Sequence, residues 1–510
     1  MKINRHRKLP SAGPARESLR KKGQFWTPDW VAEAMITYVL GGSSTDIFDP
    51  AVGAGAFFKA AKNVSLTQQR EINLLGMELD PESRQQALDA GLSVGDLREV
   101  EIRDFLLNPP KREFDAIVAN PPYIRHHRLS QETKSYLKHF GTNLIGKPLD
   151  GRAGYHVYFF LRALQVLSKQ GRLAFIMPAD VCEGVFAKVL WRWVLGNYRL
   201  DAVITFAPEA TPFPGVDTNA IVFMLRNDKP KTAFTWAKCL SPNDSKLRAW
   251  VDSNFQNSEI EIHASSRTIK EAVETGLSRP PSNGVRHRAV LGDFAFVVRG
   301  IATGANDFFF LTQARARELC IPTEWLIPAV GRTRDVPGEV ITADTIGDLK
   351  ASGRPTLLLS LDATPQATLP KPLRQYVKHG EKLGLDKRSL ISSRNPWYKM
   401  EVRTTPPFLF AYLGRRNARF IRNLAGVVPL TGFLCLYSRS SDLDFIEKLW
   451  NVLRDSETIN NLALVGKSYG AGAIKVEPRA LERLPLPESV LRRWGLDWNP
   501  LPEQLDLIGA

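Results

Sequence analysis

The stretch Asp49-Pro50-Ala51-Val52-Gly53-Ala54-Gly55-Ala56-Phe57 decides the predicted fold. The apolar pair Ile47-Phe48 predicts a strand, the two glycines predict a tight turn, and a helical pattern begins at Ala56. Such a turn lets a ligand approach the backbone and the N-terminus of the following helix. Alone it is a weak signal, because the dinucleotide-binding fingerprint is only half met.

Strand-like and helix-like segments alternate on both sides of this turn, from about residue 30 to residue 228. This alternation predicts an α/β fold with a doubly wound, Rossmann-like sheet. Further strands are predicted at residues 74–79, 116–119, 173–177, 202–206 and 220–225, and a helix at residues 157–167.

Acidic residues follow successive predicted strands. Asp49 ends the first, Glu78 ends the second, and Asp104 follows another strand end. A carboxylate after the second strand suits hydrogen bonding to ribose hydroxyls, in a nicotinamide or an S-adenosyl cofactor. Any one of these acids is more often a helix cap or a surface charge. Three in succession favour a nucleoside-bearing cofactor.

The strand at residues 116–119 ends in the turn Asn120-Pro121-Pro122-Tyr123, because proline cannot continue a buried strand. Asn120 offers an amide oxygen and Pro121 a carbonyl oxygen, so both can accept hydrogen bonds from one exocyclic amine. Held in this way, a weakly nucleophilic amine is positioned to attack a sulfonium methyl group. Tyr123 would stack on the base that carries the amine.

With these motifs in this order, the chain resembles the γ-class (TaqI-like) N6-adenine DNA methyltransferases of restriction-modification systems. Gly23-Gln24-Phe25-Trp26-Thr27-Pro28 resembles the family's first cofactor motif, and residues 213–220 resemble the motif whose Phe closes on the flipped base. Residues 300–309 and 466–478 resemble parts of family recognition domains. The resemblance covers roughly residues 20 to 490.

The resemblance implies a class I S-adenosylmethionine-dependent methyltransferase domain, a mixed α+β target-recognition domain, and S-adenosyl-L-methionine as the cofactor. It implies no metal site. The cofactor-binding residues that it implies are Phe25, Thr27, Asp49, Ala51, Gly53, Gly55, Glu78, Asp104 and Phe105. The catalytic residues are Asn120, Pro121, Tyr123 and Phe213.

Charge and cysteine content limit the partners and the compartment. The chain has 68 Lys and Arg against 53 Asp and Glu, a net charge of +15, which fits a partner with a phosphate backbone. The family resemblance implies that this partner is double-stranded DNA. The four cysteines form no CxxC pair, and the basic N-terminus lacks an apolar signal-peptide region. We therefore expect a cytoplasmic protein that associates with the nucleoid through DNA. A separate restriction endonuclease or defence-complex subunits are further expected partners.

Composition predicts five segments. Residues 1–22 form a basic flexible arm, 23–235 the methyltransferase domain, 236–290 a connecting segment, 291–490 the DNA target-recognition domain and 491–510 a C-terminal tail. Basic residues of the recognition domain are candidates for contacts with phosphates or base edges, although each is more often a solvated or structural charge: Arg299, Arg394, Lys467 and Lys475.

One residue departs from the family pattern, and other functions stay open. His156 stands where the family has another residue type; we interpret it as a satisfied or surface histidine without a role. The alternatives are an amino-methyltransferase acting on RNA or protein glutamine, methylation of cytosine N4, and a non-catalytic DNA-binding subunit. A cytosine C5 enzyme is disfavoured because none of the four cysteines follows a proline.

Overall fold

The computed structural model describes residues 26–42, 44–183, 185–214, 219–243, 245–257, 260–281, 289–401, 404–411, 418–469 and 473–498. The predicted arm, Phe25, most of the tail and residues 215–218 lie outside these ranges. The chain divides into two compact units, residues 1–283 with 469–472 and residues 284–468 with 473–510.

A nine-stranded sheet forms the centre of the first unit, in the order β3-β2-β1-β4-β5-β7-β6-β8-β9. Its strands are β1 (Asp46–Asp49), β2 (Asn73–Glu78), β3 (Glu99–Ile102), β4 (Phe114–Ala119), β5 (Leu167–Pro178), β6 (Arg199–Phe206), β7 (Ala220–Arg226), β8 (Ala233–Cys239) and β9 (Ile262–Thr268). The neighbours from β3 to β5 are parallel, and β7 is antiparallel to both β5 and β6.

Nine α-helices accompany this sheet in the described residues. They are α1 (Asp29–Leu40), α2 (Ala56–Gln68), α3 (Glu82–Asp89), α4 (Gln131–Ile145), α5 (Tyr155–Gln165), α6 (Asp180–Glu183), α7 (Ala187–Asn197), α8 (Lys246–Asp252) and α9 (Ile269–Thr275). Short 3-10 turns occur at Gly95–Leu97, His126–Arg128 and Pro208–Ala210.

Both faces of the sheet are buried, which confirms the predicted α/β class. In β4, Ala116 and Val118 pack into one apolar core, whereas Ile117 and Ala119 pack into another. This is why the predicted strands read as continuous apolar runs rather than alternating patterns. Because β1, β2 and β4 are parallel, their carboxyl ends meet at one edge of the sheet, and that edge carries Asp49, Glu78 and Asn120.

The prediction that residues 236–290 form a connecting segment is wrong. β8 pairs parallel with β6, and β9 pairs antiparallel with β8, so this part of the chain extends the first sheet. The division between the units falls at residue 283 instead of 235. The sequence hides β9 because it is an edge strand with four consecutive exposed residues and therefore has no apolar run.

The second unit contains two larger mixed sheets and a short one. Their orders are β10-β18-β15-β16-β13, β11-β14-β12-β17 and β19-β20. The strands are β10 (Ala295–Arg299), β11 (Phe310–Leu311), β12 (Leu326–Val330), β13 (Val340–Ile341), β14 (Leu357–Leu359), β15 (Phe408–Ala411), β16 (Arg419–Asn423), β17 (Val428–Pro429), β18 (Phe433–Ser438), β19 (Lys467–Tyr469) and β20 (Ala473–Lys475).

The helices of the second unit are mostly short. They are α10 (Leu291–Phe294), α11 (Asn306–Phe309), α12 (Gln313–Glu318), α13 (Ala343–Ala351), α14 (Lys371–Lys382), α15 (Leu443–Arg454), α16 (Ser456–Asn460), α17 (Leu462–Val465), α18 (Pro478–Glu482) and α19 (Glu488–Arg493). The 3-10 turns are Thr323–Trp325, Thr333–Asp335, Gln366–Thr368 and Leu385–Lys387. No helix in the described ranges is both long and apolar enough to cross a membrane.

Candidate active site

The glycine turn between β1 and α2 has a backbone that requires glycine. Gly53 and Gly55 have φ values of +53° and +76°, in the left-handed region. A Cβ atom on Gly55 would lie 2.2 Å from the side chain of Leu92. The turn therefore packs tightly against the loop after α3, and its backbone is left as the surface that a ligand can approach.

Asp49 lies beneath this turn. Its Oδ1 atom accepts a hydrogen bond of 2.9 Å from the amide of Ala51, and the residue is completely buried. Burial raises the pKa of the Asp49 carboxyl from 3.8 to about 8, and the nearby charge of Glu78 adds to the rise against the opposing hydrogen bond from Ala51. Burial therefore favours the neutral, protonated form of this carboxyl group.

Glu78 joins the glycine turn to the end of β2. One carboxylate oxygen accepts from the amide of Gly53 at 2.7 Å, and the other accepts from the amides of Leu79 and Asp80 at 2.8 and 2.9 Å. Three backbone amides thus converge on one side chain. Their hydrogen bonds fix the carboxylate beside the turn.

Asp104 orders the loop after β3. Its Oδ1 atom accepts from the amides of Leu106 and Leu107 at 2.8 and 3.0 Å, and its Oδ2 atom accepts from the hydroxyl of Tyr155 at 3.3 Å. Burial and the neighbouring Asp104 raise the pKa of the Tyr155 phenol. Tyr155 therefore stays neutral and donates to the carboxylate.

A cavity of about 590 Å³ lies among these elements. Seven of the predicted site residues line it: Thr27, Ala51, Gly53, Glu78, Asp104, Phe105 and Asn120. Asp49, Gly55, Pro121, Tyr123 and Phe213 lie outside its lining, and Phe25 lies outside the described residues.

The cavity also has an apolar wall that the sequence analysis did not identify. Trp26, Leu79, Leu107, Tyr155 and Phe159 contribute to it. Leu79 and Leu107 keep 62% and 51% of their surface exposed, which is unusual for large apolar side chains. Their positions in the sequence could have identified them, because Leu79 directly follows Glu78 and Leu107 comes three residues after Asp104.

The Asn120-Pro121-Pro122-Tyr123 turn begins where β4 ends. The amide nitrogen of Asn120 donates to the hydroxyl of Thr27 at 3.2 Å, which ties the turn to the chain before α1. Ile124 donates its backbone N–H to the carbonyl of Pro122 at 2.9 Å and closes the turn. Asn120 itself faces the cavity.

Tyr123, the last residue of this turn, belongs to an aromatic cluster. Its hydroxyl donates to the carbonyl of Ile176 at 3.1 Å, and its ring meets that of Phe213 edge-on at a centroid distance of 6.3 Å. Burial raises the pKa of the Tyr123 phenol well above its usual value. The ring is thus neutral and held in a fixed orientation.

His156 is the third member of this cluster, and the interpretation of it as a satisfied or surface histidine is wrong. The residue is 3% exposed, and its ring lies edge-on to Tyr123 at a centroid distance of 5.9 Å. Within the part of the chain that the structure describes, neither ring nitrogen has a hydrogen-bond partner. This burial could not be predicted from the sequence, because Tyr123, against which the ring packs, comes from a distant segment.

The second unit has a cavity of different chemistry. It measures about 520 Å³ and is lined by the loop at residues 302–308 and by Arg315, His379 and Arg388 among others. Of the four basic residues noted in the sequence, Arg299 pairs with Glu477, and Arg394 donates to the carbonyl of Ala302 at 2.6 Å. The structure does not describe the side chains of Lys467 and Lys475.

Exposed cations concentrate beside this second cavity, on α14 and the turn after it. The exposed basic residues there are Lys371, Arg374, Lys378, Lys382, Lys387 and Arg388, against the carboxylates of Glu381 and Asp386. Over the described residues, we find no group of three or more His, Cys, Asp or Glu side chains that could hold a metal ion.

Two family models match the chain, one for each unit. Residues 13–267, half of the chain, match the model described as N-6 DNA Methylase. Residues 284–504 match the C-terminal domain of the type II methyltransferase M.Eco57I.

Two type II methyltransferases are similar over most of the chain. The type II methyltransferase M.AccI of Acinetobacter calcoaceticus is 28% identical, covering 92% of this chain and 85% of the relative. M.XamI of Xanthomonas campestris pv. amaranthicola is 25% identical with the same coverage. Among solved structures, the type IIL restriction-modification enzyme MmeI in complex with DNA is 13% identical with a TM-score of 0.49, and the match covers 96% of this chain and 65% of that one.

Proposed function

The chain belongs to the N-6 DNA methylase family, and on that premise we propose that it transfers a methyl group from S-adenosyl-L-methionine to the N6 amine of a flipped adenine in double-stranded DNA. The observation that carries this proposal is that Asn120 faces the same cavity as Glu78 and Asp104. The amine-binding turn and the nucleoside-binding acids thus share one site. The γ-class assignment within the family stays a prediction.

The residues of the cavity fit S-adenosyl-L-methionine. A volume of about 590 Å³ accommodates a ligand of this size, and the wall combines carboxylates, turn backbone and exposed apolar side chains. We assign Glu78 to the ribose hydroxyls, because its oxygens already lie at the turn. Leu79, Leu107 and Phe105 would pack against the adenine ring, with Asp104 beside its amine. When bound, the cofactor supplies the electrophilic methyl group.

Asn120 and Pro121 would orient the amine of the target base. Because the Asn120 amide nitrogen donates to Thr27, its oxygen is the atom oriented to accept from N6. The Pro121 carbonyl accepts the second N6 proton, since proline has no N–H that could compete as a donor. With both protons held, the nitrogen lone pair turns towards the incoming methyl group, and positioning provides most of the rate gain.

Tyr123 and Phe213 would hold the base outside the helix. Base–aromatic stacking is worth about 1–3 kcal/mol per base, which offsets part of the unstacking cost. Two contacts fix the Tyr123 ring in advance, the hydrogen bond to Ile176 and the edge-on packing of Phe213. Little ordering is then needed when the base arrives.

The second unit is our candidate for reading the DNA sequence. A site that grips one flipped base cannot read the neighbouring base pairs, so other residues must reach the grooves. The exposed cations on α14 support contacts with phosphates, which position a protein on DNA. We further propose a restriction-modification setting, because similar proteins such as M.AccI are type II methyltransferases.

The direct test is methyl transfer from radiolabelled S-adenosyl-L-methionine to double-stranded DNA, followed by digestion and separation of the nucleosides. We expect the label in N6-methyladenine, and long-read sequencing of the product would map the site. Label in cytosine, in RNA or in protein, with none in adenine of DNA, would overturn the proposal. DNA already methylated by the same protein is the control and should accept no label.

A further inference from the structure

The imidazole of His156 has no part in the proposed function, yet it lies in the aromatic cluster that would receive the target base. His156 is in the first turn of α5, directly after Tyr155, which lines the cofactor cavity. Its ring packs edge-on against that of Tyr123, and the residue is 3% exposed. A polar ring therefore lies buried beside the stacking aromatic.

The ring packs closely against Gly154. A Cβ atom on Gly154 would come within 2.6 Å of the His156 Cε1 atom, so residue 154 leaves only enough room for the imidazole. The Nε2 atom lies 3.6 Å from Oδ1 of Asp180, the first residue of α6. This separation is longer than a hydrogen bond, and the Asp180 side chain is 64% exposed.

Both ring nitrogens lack a hydrogen-bond partner among the described residues. Leaving a buried donor or acceptor unsatisfied costs a free energy equivalent to roughly a 5- to 150-fold change in an equilibrium constant. A neutral imidazole presents one N–H donor and one acceptor nitrogen. A group of this kind at a binding site suggests that the missing partner arrives with the ligand.

The flipped adenine carries suitable partners. In the proposed function its N6 amine is held by Asn120 and Pro121, which leaves the ring nitrogens N1, N3 and N7 as acceptors. We propose that His156 donates a hydrogen bond to one of these ring nitrogens and so contacts the target base directly. This inference rests on the proposed function and adds to it a specific hydrogen bond to the base.

A double-mutant cycle between protein and base tests the proposal. The protein is wild type or His156→Phe, which keeps an aromatic ring but removes both nitrogens. The DNA carries at the target position adenine, 1-deazaadenine, 3-deazaadenine or 7-deazaadenine, each analogue replacing one ring nitrogen by C–H. We expect one analogue to weaken binding by wild type about tenfold and to have no such effect on His156→Phe.

Two controls keep the result interpretable. His156→Phe should bind S-adenosyl-L-methionine with unchanged affinity, and His263→Phe, at an exposed position of β9, should respond to the analogues as wild type does. If His156→Phe does not fold, His156→Gln replaces it; its amide retains a donor and should keep part of the coupling. If neither variant folds, a wild type that tolerates all three analogues still overturns the proposal.

Equal responses of wild type and His156→Phe to all three analogues would overturn the proposal, as would a wild type that tolerates every analogue. Wild-type methylation of unmodified adenine is measured in the same experiment. Its presence shows that the proposed function stands even if His156 makes no contact, whereas its absence points to failure of the proposed function itself.

Discussion

The two units of the molecule carry cavities of similar size and opposite charge. The cavity of about 590 Å³ in the first unit is lined by three carboxylates, Glu78, Asp80 and Asp104, and one guanidinium, Arg103. The cavity of about 520 Å³ in the second unit is lined by Arg315, Arg388 and His379, with one carboxylate, Asp307. The first suits a ligand with hydroxyl groups and a positive charge, and the second suits phosphate.

The contrast indicates a division of labour. Changes in the first cavity should alter cofactor binding or methyl transfer and leave DNA binding intact, because the acidic wall repels phosphates. Changes to the exposed cations of α14 in the second unit should weaken DNA binding and leave cofactor binding and methyl transfer intact. Each of the following substitutions tests one side of this separation.

The largest effect is expected from Asn120→Ala. The variant loses an acceptor for the N6 amine, which acts mainly as the amine attacks, so the methylation rate should fall about 100- to 1000-fold. Affinities for DNA and for S-adenosyl-L-methionine should change little. Single-turnover methyl transfer measures the rate, and Asn143→Ala, on α4, is the control. A near-normal rate in Asn120→Ala would remove the turn from catalysis.

Glu78→Gln should weaken cofactor binding by about 10- to 100-fold. The charged carboxylate accepts three backbone amides, and an amide side chain can accept with only one oxygen. Isothermal titration with S-adenosyl-L-methionine measures the loss, and Glu82→Gln, exposed at the start of α3, provides the matched control. Unchanged affinity in a folded Glu78→Gln variant would show that the carboxylate is only structural.

Lys378→Ala tests the second unit. Lys378 is exposed on α14, so its loss should leave the fold intact while removing one contact with phosphate. We expect DNA affinity to fall several-fold, and the slope of log affinity against log salt to become shallower by about 1. Arg492→Ala, also exposed but on α19, should leave the slope unchanged. A smaller rate of methyl transfer at saturating DNA would break the separation between the units.

The last test concerns the stability of the protein rather than binding or methyl transfer, and it concerns the Asp49 carboxyl group. Its pKa is about 8 in the folded protein against 3.8 as the reference value, so the folded state binds a proton that the unfolded chain releases. The stabilising contribution is complete below about pH 3.8 and is lost as pH rises towards 8.

Asp49→Asn should therefore gain stability relative to wild type between pH 5 and pH 8. Denaturant unfolding at several pH values, followed by tryptophan fluorescence, measures this trend. Asp89→Asn, at an exposed site on α3, should show no such relative gain. Parallel pH curves for wild type and Asp49→Asn would contradict the assignment.

The sequence predicted the first unit well because its signals are local. Glycines with positive φ at residues 53 and 55 and prolines at 121 and 122 impose backbone constraints that are visible without neighbours. The fold class and five further strands followed from apolar runs. β8 and β9 were missed because they lie at or near an edge of the sheet, where polar residues replace the apolar pattern, and β3 was predicted only as a strand that ends before Asp104, without bounds.

Other features depend on contacts between distant segments and could not be predicted. The surroundings of His156 come from Tyr123 and Asp180, which lie 33 residues before it and 24 after it in the chain. The second unit builds its sheets partly from strands of two residues, such as β11 and β13, which are too short to show a period. Of its cavity, only the loop at residues 302–308 lies in a stretch noted in the sequence, the one that resembles family recognition domains.

The edges of the nine-stranded sheet have a consequence for solubility. β3 and β9 are its outermost strands, and edge strands present unpaired backbone groups to which another chain can add. β3 exposes Glu99 and Glu101, and after His263 β9 exposes the short side chains of Ala264, Ser265 and Ser266. Charge at one edge and short, mostly polar side chains at the other disfavour association of sheet edges. The broad sheet can therefore remain open at both ends without pairing with the sheet of another copy.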